Sequence, residues 1–128
     1  IDEGMARRST RFVLVGAFGG ERTDHAMLHA FQSLALARRG IDVLMTSGRE
    51  EAVPLVAGTR TFNLQPEMIF SLVGFGAMHG VTISGARWPL HERHVPPGSS
   101  LTLSNIAEGP VTVSIASGEG LFMTGSYT

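Results

Sequence analysis

The chain contains no cysteine and no lysine. Without cysteine there are no disulfides, no thiolate nucleophile and no zinc–cysteine site. Without lysine, a P-loop is excluded within the chain, because its lysine reaches the nucleotide phosphates, and so is Schiff-base chemistry. No apolar run approaches the roughly 20 residues of a membrane span, and no signal-peptide pattern opens the sequence. A cytoplasmic location with no membrane partner is therefore expected. The net charge is −1 at pH 7 with no basic block, which gives a nucleic-acid partner no footing. All ten basic residues are arginine. Any phosphate bound here must be held by arginine forks and backbone amides.

What the sequence does contain changes character near residue 48. Residues 11–17 (RFVLVGA) form an apolar run without polar alternation, as in a strand buried on both faces of a parallel sheet. Residues 18–22 are a glycine-rich turn, Thr23 is an N-cap and Asp24 is a favourable acid for a first helical turn. Met27, Leu28, Phe31, Leu34 and Ala35 recur at helical spacing as one apolar stripe. Arg38 and Arg39 close the helix, and Gly40 is a left-handed stop. Residues 41–47 read as a second strand, so this part is expected to be a Rossmann-like α/β fragment, a parallel βαβ unit. The first ten residues, IDEGMARRST, read as the end of a helix already under way, and the chain is expected to be the C-terminal portion of something longer.

Residues 50–58 read as a connection or short strand, and helical periodicity then disappears. Strands are predicted at 59–64, 68–75, 81–90, 99–105, 111–116 and 121–127, separated by turn signals such as Pro96-Pro97-Gly98 and Glu108-Gly109-Pro110. That pattern predicts an antiparallel β-sandwich. The expected division is residues 1–48, the C-terminal part of an α/β domain, 49–58, a connection, and 59–128, a β-sandwich domain.

Several groups of residues carry chemistry, each with a plainer reading beside it. Gly19, Gly20, Arg22, Asp24 and His25 gather at the start of the helix, where glycine permits close backbone approach and Arg22 neutralises phosphate. Asp24 is the one candidate there for a metal ligand or for orienting a substrate hydroxyl. The plainer reading is a tight turn with Asp24 helping the helix begin. His25 and His29 stand four apart as in some zinc sites, but the glutamate of a metalloprotease pair and a third ligand are missing. His91 and His94 read as solvated loop residues. Trp88, the only tryptophan, is by default a core residue, with an exposed ligand platform as the alternative. Ser104 and Asn105 read as an Asx-type turn or as two groups fixing a heteroaromatic ligand.

In order and spacing these pieces resemble thiamine pyrophosphokinase. The family pattern runs G-A-x-G-G-R-x-D-H, then S-L-x-x-x-G, then G-x-x-x-x-G-L-K-[WY]-x-L, then S-N-E. This chain reads GAFGGERTDH (16–25), SLVGFG (71–76), GVTISGARWPL (80–90) and SNIAEG (104–109). The resemblance implies transfer of pyrophosphate from ATP, as co-substrate, to thiamine with Mg²⁺ (Mg2+), giving thiamine diphosphate and AMP. It implies ATP binding by Gly19, Gly20, Arg22 and His25, catalytic roles for Arg22 and Asp24, and thiamine binding by Trp88, Ser104 and Asn105. It implies a homodimer through the β domain, with thiamine between domains of different subunits. Departures are the extra Glu21, Arg87 in place of lysine and Ile106 in place of an acid. The family's upstream acidic segment lies outside this sequence, so the chain alone is expected to be inactive and the full-length protein to be the enzyme. A non-catalytic thiamine- or nucleotide-binding regulatory module is the alternative, and a generic α/β nucleotide-binding protein a further one.

Overall fold

The computed structural model describes residues 11–15, 23–47 and 49–125. Strand β1 (Arg11–Val15) leads to helix α1 (Thr23–Arg38) and strand β2 (Asp42–Thr46), and β2 lies parallel to β1 from Arg11↔Asp42 to Val15↔Thr46. The helix ends as the sequence predicts. Gly40 adopts a φ of 82°, its N–H reaches the Ala37 carbonyl at 2.9 Å, and the Ile41 N–H reaches the Leu36 carbonyl at 3.2 Å. That pair of bonds is a Schellman motif, which satisfies the last carbonyls and releases the chain into β2.

The helical stripe is placed differently from the prediction. Ser33, Leu34 and Leu36 are buried, whereas Met27, Leu28 and Phe31 are each more than half exposed. The C-terminal half of α1 faces the sheet, and Ser33 tolerates burial because its hydroxyl donates to the Ala30 carbonyl at 2.7 Å. Under it lie Met45 and Ala52, with Leu121 and Met123 beside them.

β2 then turns antiparallel into β3 (Glu50–Leu55), a full strand where the sequence predicts only a connection or short strand. Pro54 obscures it in the sequence. It lies past the two residues that pair β3 with β2, so on that side there is no ladder bond for it to break. The parallel part is thus one strand–helix–strand unit feeding an antiparallel sheet. The expected Rossmann-like α/β fragment is absent among the described residues, and that expectation is corrected.

The antiparallel β-sandwich is present. One sheet runs β1-β2-β3-β9-β5, with β5 at Ile69–Gly74 and β9 at Gly120–Gly125. The other is built from β4 (Gly58–Phe62), β8 (Asn105–Ile115), β6 (Met78–Ala86) and β7 (Leu90–Val95). Their shared core joins Val53, Leu55, Phe70, Leu72 and Phe122 to Val81, Ile83, Val111, Val113 and Ile115. The Phe62 and Phe122 rings stack across it at 3.9 Å between centroids. No described helix is long and apolar enough to cross a membrane.

Three further differences follow from local chemistry. The Glu108-Gly109-Pro110 signal is not a chain reversal but a bulge inside the eleven-residue β8. Between the pairs Ser84↔Thr112 and Ala86↔Ala107, β8 carries three more residues than β6. Gly85 opposite makes room, since a Cβ there would stand 2.1 Å from the Pro110 oxygen. The predicted strand at 99–105 is instead turn structure as far as Ser104, tied to β5 by the Leu72 N–H, which donates to the Thr102 carbonyl at 2.9 Å, and by the buried Thr102 hydroxyl, which donates back to the Leu72 carbonyl. The predicted strand at 81–90 is the second part of β6 and its exit, and β7 carries His91 and His94 on a strand rather than in a loop.

The Arg38 guanidinium grips both carboxylate oxygens of Glu119, tying the end of α1 to the approach to β9. The hydrogen bond from Arg38 holds the Glu119 carboxyl below its ordinary range, against a smaller opposing effect of burial. A carboxyl held low stabilises the fold above its unfolded pKa, about 4.3, and loses that contribution as pH falls through the folded value. Glu119→Gln should therefore lower the unfolding midpoint at neutral pH, and the gap to wild type should narrow in acid, below the folded value. Thermal unfolding at neutral and acid pH checks this, and a gap unchanged in acid would refute it.

Candidate functional site

The site grows from the start of β8. Asn105 is buried (4% exposed) and its side chain reaches across to the connection between β6 and β7. Its Oδ1 accepts from the Trp88 N–H at 3.2 Å and from the Ile106 N–H at 2.8 Å, and its Nδ2 donates to the Trp88 carbonyl at 2.9 Å. One amide thus satisfies both backbone polar groups of Trp88. Aspartate could not do so, having no donor for the carbonyl. The Arg87 N–H adds a bond to the Ile106 carbonyl at 2.8 Å.

With its backbone held, the Trp88 indole stands out from the sandwich, 55% exposed. The default reading of a lone tryptophan as core does not hold. The Arg87 guanidinium lies over the ring at 5.7 Å from the centroid and meets Glu67 at 3.4 Å. Both partners of that ion pair are solvated, so it orients Arg87 more than it stabilises the fold.

Ser104 precedes the clamp with a φ of 55°, a left-handed conformation unusual for serine. Its N–H donates to the Ser71 hydroxyl at 2.9 Å, so the SLVGFG segment and the SNIAEG segment meet at this bond. The structure therefore brings Trp88, Asn105 and Ser104 together. Glu67 and Ser71 belong to the same cluster and are not singled out by the sequence reading. Ser71 opens one of the quoted motifs, which was the available signal, whereas nothing in the sequence marks Glu67.

The other candidates stand elsewhere. Asp24 and His25 are exposed in the first turn of α1, where the His25 N–H donates to the Asp24 carboxylate at 2.9 Å. Gly19, Gly20, Glu21 and Arg22 lie outside the described residues. α1 rests on β2 and β3, whereas Trp88 leaves β6 in the other sheet. Among the described residues no three His, Asp or Glu side chains gather as a metal cage. A cleft of about 260 Å³ lined by Gly40, Asp42, Pro54 and Arg60 touches none of the motif residues.

Comparison with known proteins follows the same division. Residues 60–121 match the family described as Thiamin pyrophosphokinase, vitamin B1 binding domain. Thiamine pyrophosphokinase from Bacillus subtilis superposes with a TM-score of 0.90 at 19% identity, covering 99% of this chain and 61% of that one. The Geobacillus thermodenitrificans thiamin pyrophosphokinase gives 0.87 at 23% identity over 99% and 59%. The Candida albicans thiamin pyrophosphokinase gives 0.76 at 10% identity over 91% and 44%. At these identities the structural likeness is one of fold. The chain thus spans about three fifths of the first two relatives, 61% and 59%. No curated protein sequence matches it. Residues 60–121, which carry Trp88 and the Asn105 clamp, are thus the part of the chain that matches a thiamin pyrophosphokinase vitamin B1 binding domain.

Proposed function

We propose that this chain is the thiamine-binding portion of a thiamine pyrophosphokinase whose whole protein transfers pyrophosphate from ATP to thiamine, giving thiamine diphosphate and AMP. The observation that carries this reading is the exposed Trp88 ring with a backbone fixed by Asn105, inside the segment that matches the vitamin B1 binding domain. Thiamine is a flat, cationic heteroaromatic, and an indole face attracts such a cation through its quadrupole. Arg87 lies over the ring, so stacking uses the opposite face. Ser104 offers a hydroxyl at the edge of the same cluster.

The nucleotide side of the reaction rests on the start of α1. On this reading Gly19, Gly20, Arg22 and His25 hold ATP, and Arg22 and Asp24 act at the transferred group. A helix N-terminus favours phosphate through its free N–H groups and dipole. Mg²⁺ would neutralise charge on the transferring phosphates, and its remaining ligands belong to the whole protein. The division into an α/β portion to residue 48 and a thiamine-binding, dimer-forming portion from residue 59 belongs to the same proposal, as does a cytoplasmic location. A homodimer would use the β-sandwich, where Val73, Leu101 and Leu103 leave apolar side chains in solvent.

Thiamine added to this chain should quench Trp88 fluorescence, and Trp88→Ala should weaken binding roughly tenfold, while Trp88→Phe keeps most of it. No quenching and no heat of binding would refute the thiamine site. Asn105→Ala leaves the Trp88 N–H and carbonyl without their partner. It is expected to lower stability by about 1–3 kcal/mol and to reduce the quenching, as read by denaturant unfolding and the same titration. In the whole protein with ATP and Mg²⁺, AMP release should depend on thiamine. Asp24→Asn should cut it on the order of a hundredfold with thiamine binding unchanged. Thiamine binding without AMP release would leave a non-catalytic binding module.

A further inference from the structure

At the far end of the β6–β7 hairpin from Trp88, two histidines face one another. Met78 pairs with Val95 across the hairpin, and both are buried. The pleat therefore turns their neighbours His79 and His94 outward, directly across from each other. The Nδ1 atoms stand 2.9 Å apart, and the rings stack at 4.5 Å between centroids with 27° between planes. The His79 backbone is pinned as well. Its N–H donates to the Ser117 carbonyl at 2.8 Å, and its carbonyl accepts from the Ala116 N–H at 3.0 Å.

We infer that His79 and His94 form a cross-strand chelate for a divalent transition-metal ion, of the kind that accepts imidazole nitrogens at right angles, Cu²⁺ or Ni²⁺. The separation carries the argument. Metal–imidazole bonds are about 2.0–2.1 Å long, so two nitrogens at adjacent corners of a square stand about 2.9 Å apart. That is the spacing already present. In the metal-free chain the two Nδ1 atoms share a hydrogen bond, and an ion set against both would take its place. Neutral imidazole suits these ions, and water completes the coordination, since no third His, Asp or Glu joins a group with these two among the described residues.

The consequence is mechanical. β7 is an edge strand whose pairing with β6 shifts register twice. An ion bridging His79 and His94 clips that edge to the strand beside it. The clip is separate from the thiamine proposal, because seven residues of strand, roughly 20 Å, lie between His79 and the end of β6.

The test titrates this chain with Cu²⁺ and, separately, Ni²⁺. The expected result is one ion per chain by calorimetry, with two equatorial nitrogens in the Cu²⁺ paramagnetic resonance spectrum. His79→Asn and His94→Asn should each weaken binding at least tenfold, while His91→Asn and His25→Asn leave it unchanged. Saturating Ni²⁺ should raise the unfolding midpoint of the wild type and not of the two single variants, because an ion held only by the folded pair stabilises it. Both side chains are solvated, so the metal-free midpoints of the variants serve as the folding control. Binding that survives both single substitutions, or is lost instead with His25→Asn, would overturn the proposal. So would a wild-type midpoint indifferent to Ni²⁺.

Discussion

Strand β8 belongs to both sheets, and the rest of the sandwich is arranged around that fact. Asn105 and Ile106 pair with β5 in one sheet, while residues further along pair with β6 and β4 in the other. A strand that changes sheets must bend without losing its alternation, because a slip of one residue turns every core side chain to solvent. Here Asn105, Ala107, Val111, Val113 and Ile115 all remain buried, two or four residues apart. The bend is absorbed at Glu108-Gly109-Pro110, where Gly109 takes a φ of 148° and Gly85 opposite supplies the space. The aromatic contacts of Phe122 with Phe62 and Phe70 fill the interior that this junction encloses.

The parts of this fold legible in the sequence are those where local chemistry and tertiary demand agree. Gly40 needs a left-handed conformation and has one, and Thr23 and Asp24 open the helix they mark. β5, β6 and β9 follow apolar alternation because one face of each meets the core. Elsewhere the two levels diverge. β7 (LHERHV) buries only Val95, so an edge strand in water shows no period for a reader to find. Glu108-Gly109-Pro110 has the composition of a turn, and whether such residues reverse a strand or merely bulge it depends on what pairs beyond them. The stripe on α1 misleads because Ser33 bonds its own helix and so can take a buried place.

The site divides along the same line. Its motif residues are visible in order and spacing, but the bonding between them is not, since Asn105 and Trp88 lie 17 positions apart. Residue-type preference puts a lone tryptophan inside, and the structure sets it outside because the clamp satisfies its backbone and leaves the ring unconstrained by the core. Asp24 and His25 ride on a helix whose other end is anchored by Arg38 to Glu119. The two candidate groups are therefore carried by one continuous hydrogen-bonded framework, running from α1 through β9 and β5 to β8.

The doubly used oxygen of Asn105 ties the order of the ring to the order of the sheet junction. The amide hydrogens of Trp88 and Ile106 share that single acceptor, one on a surface connection and the other in the strand that joins the sheets. Neither amide can be released to solvent by a small local fluctuation of the loop alone while Asn105 stays buried. The loop beneath the ring consequently inherits the opening free energy of β8, and a surface segment acquires the slow solvent exchange of an interior one.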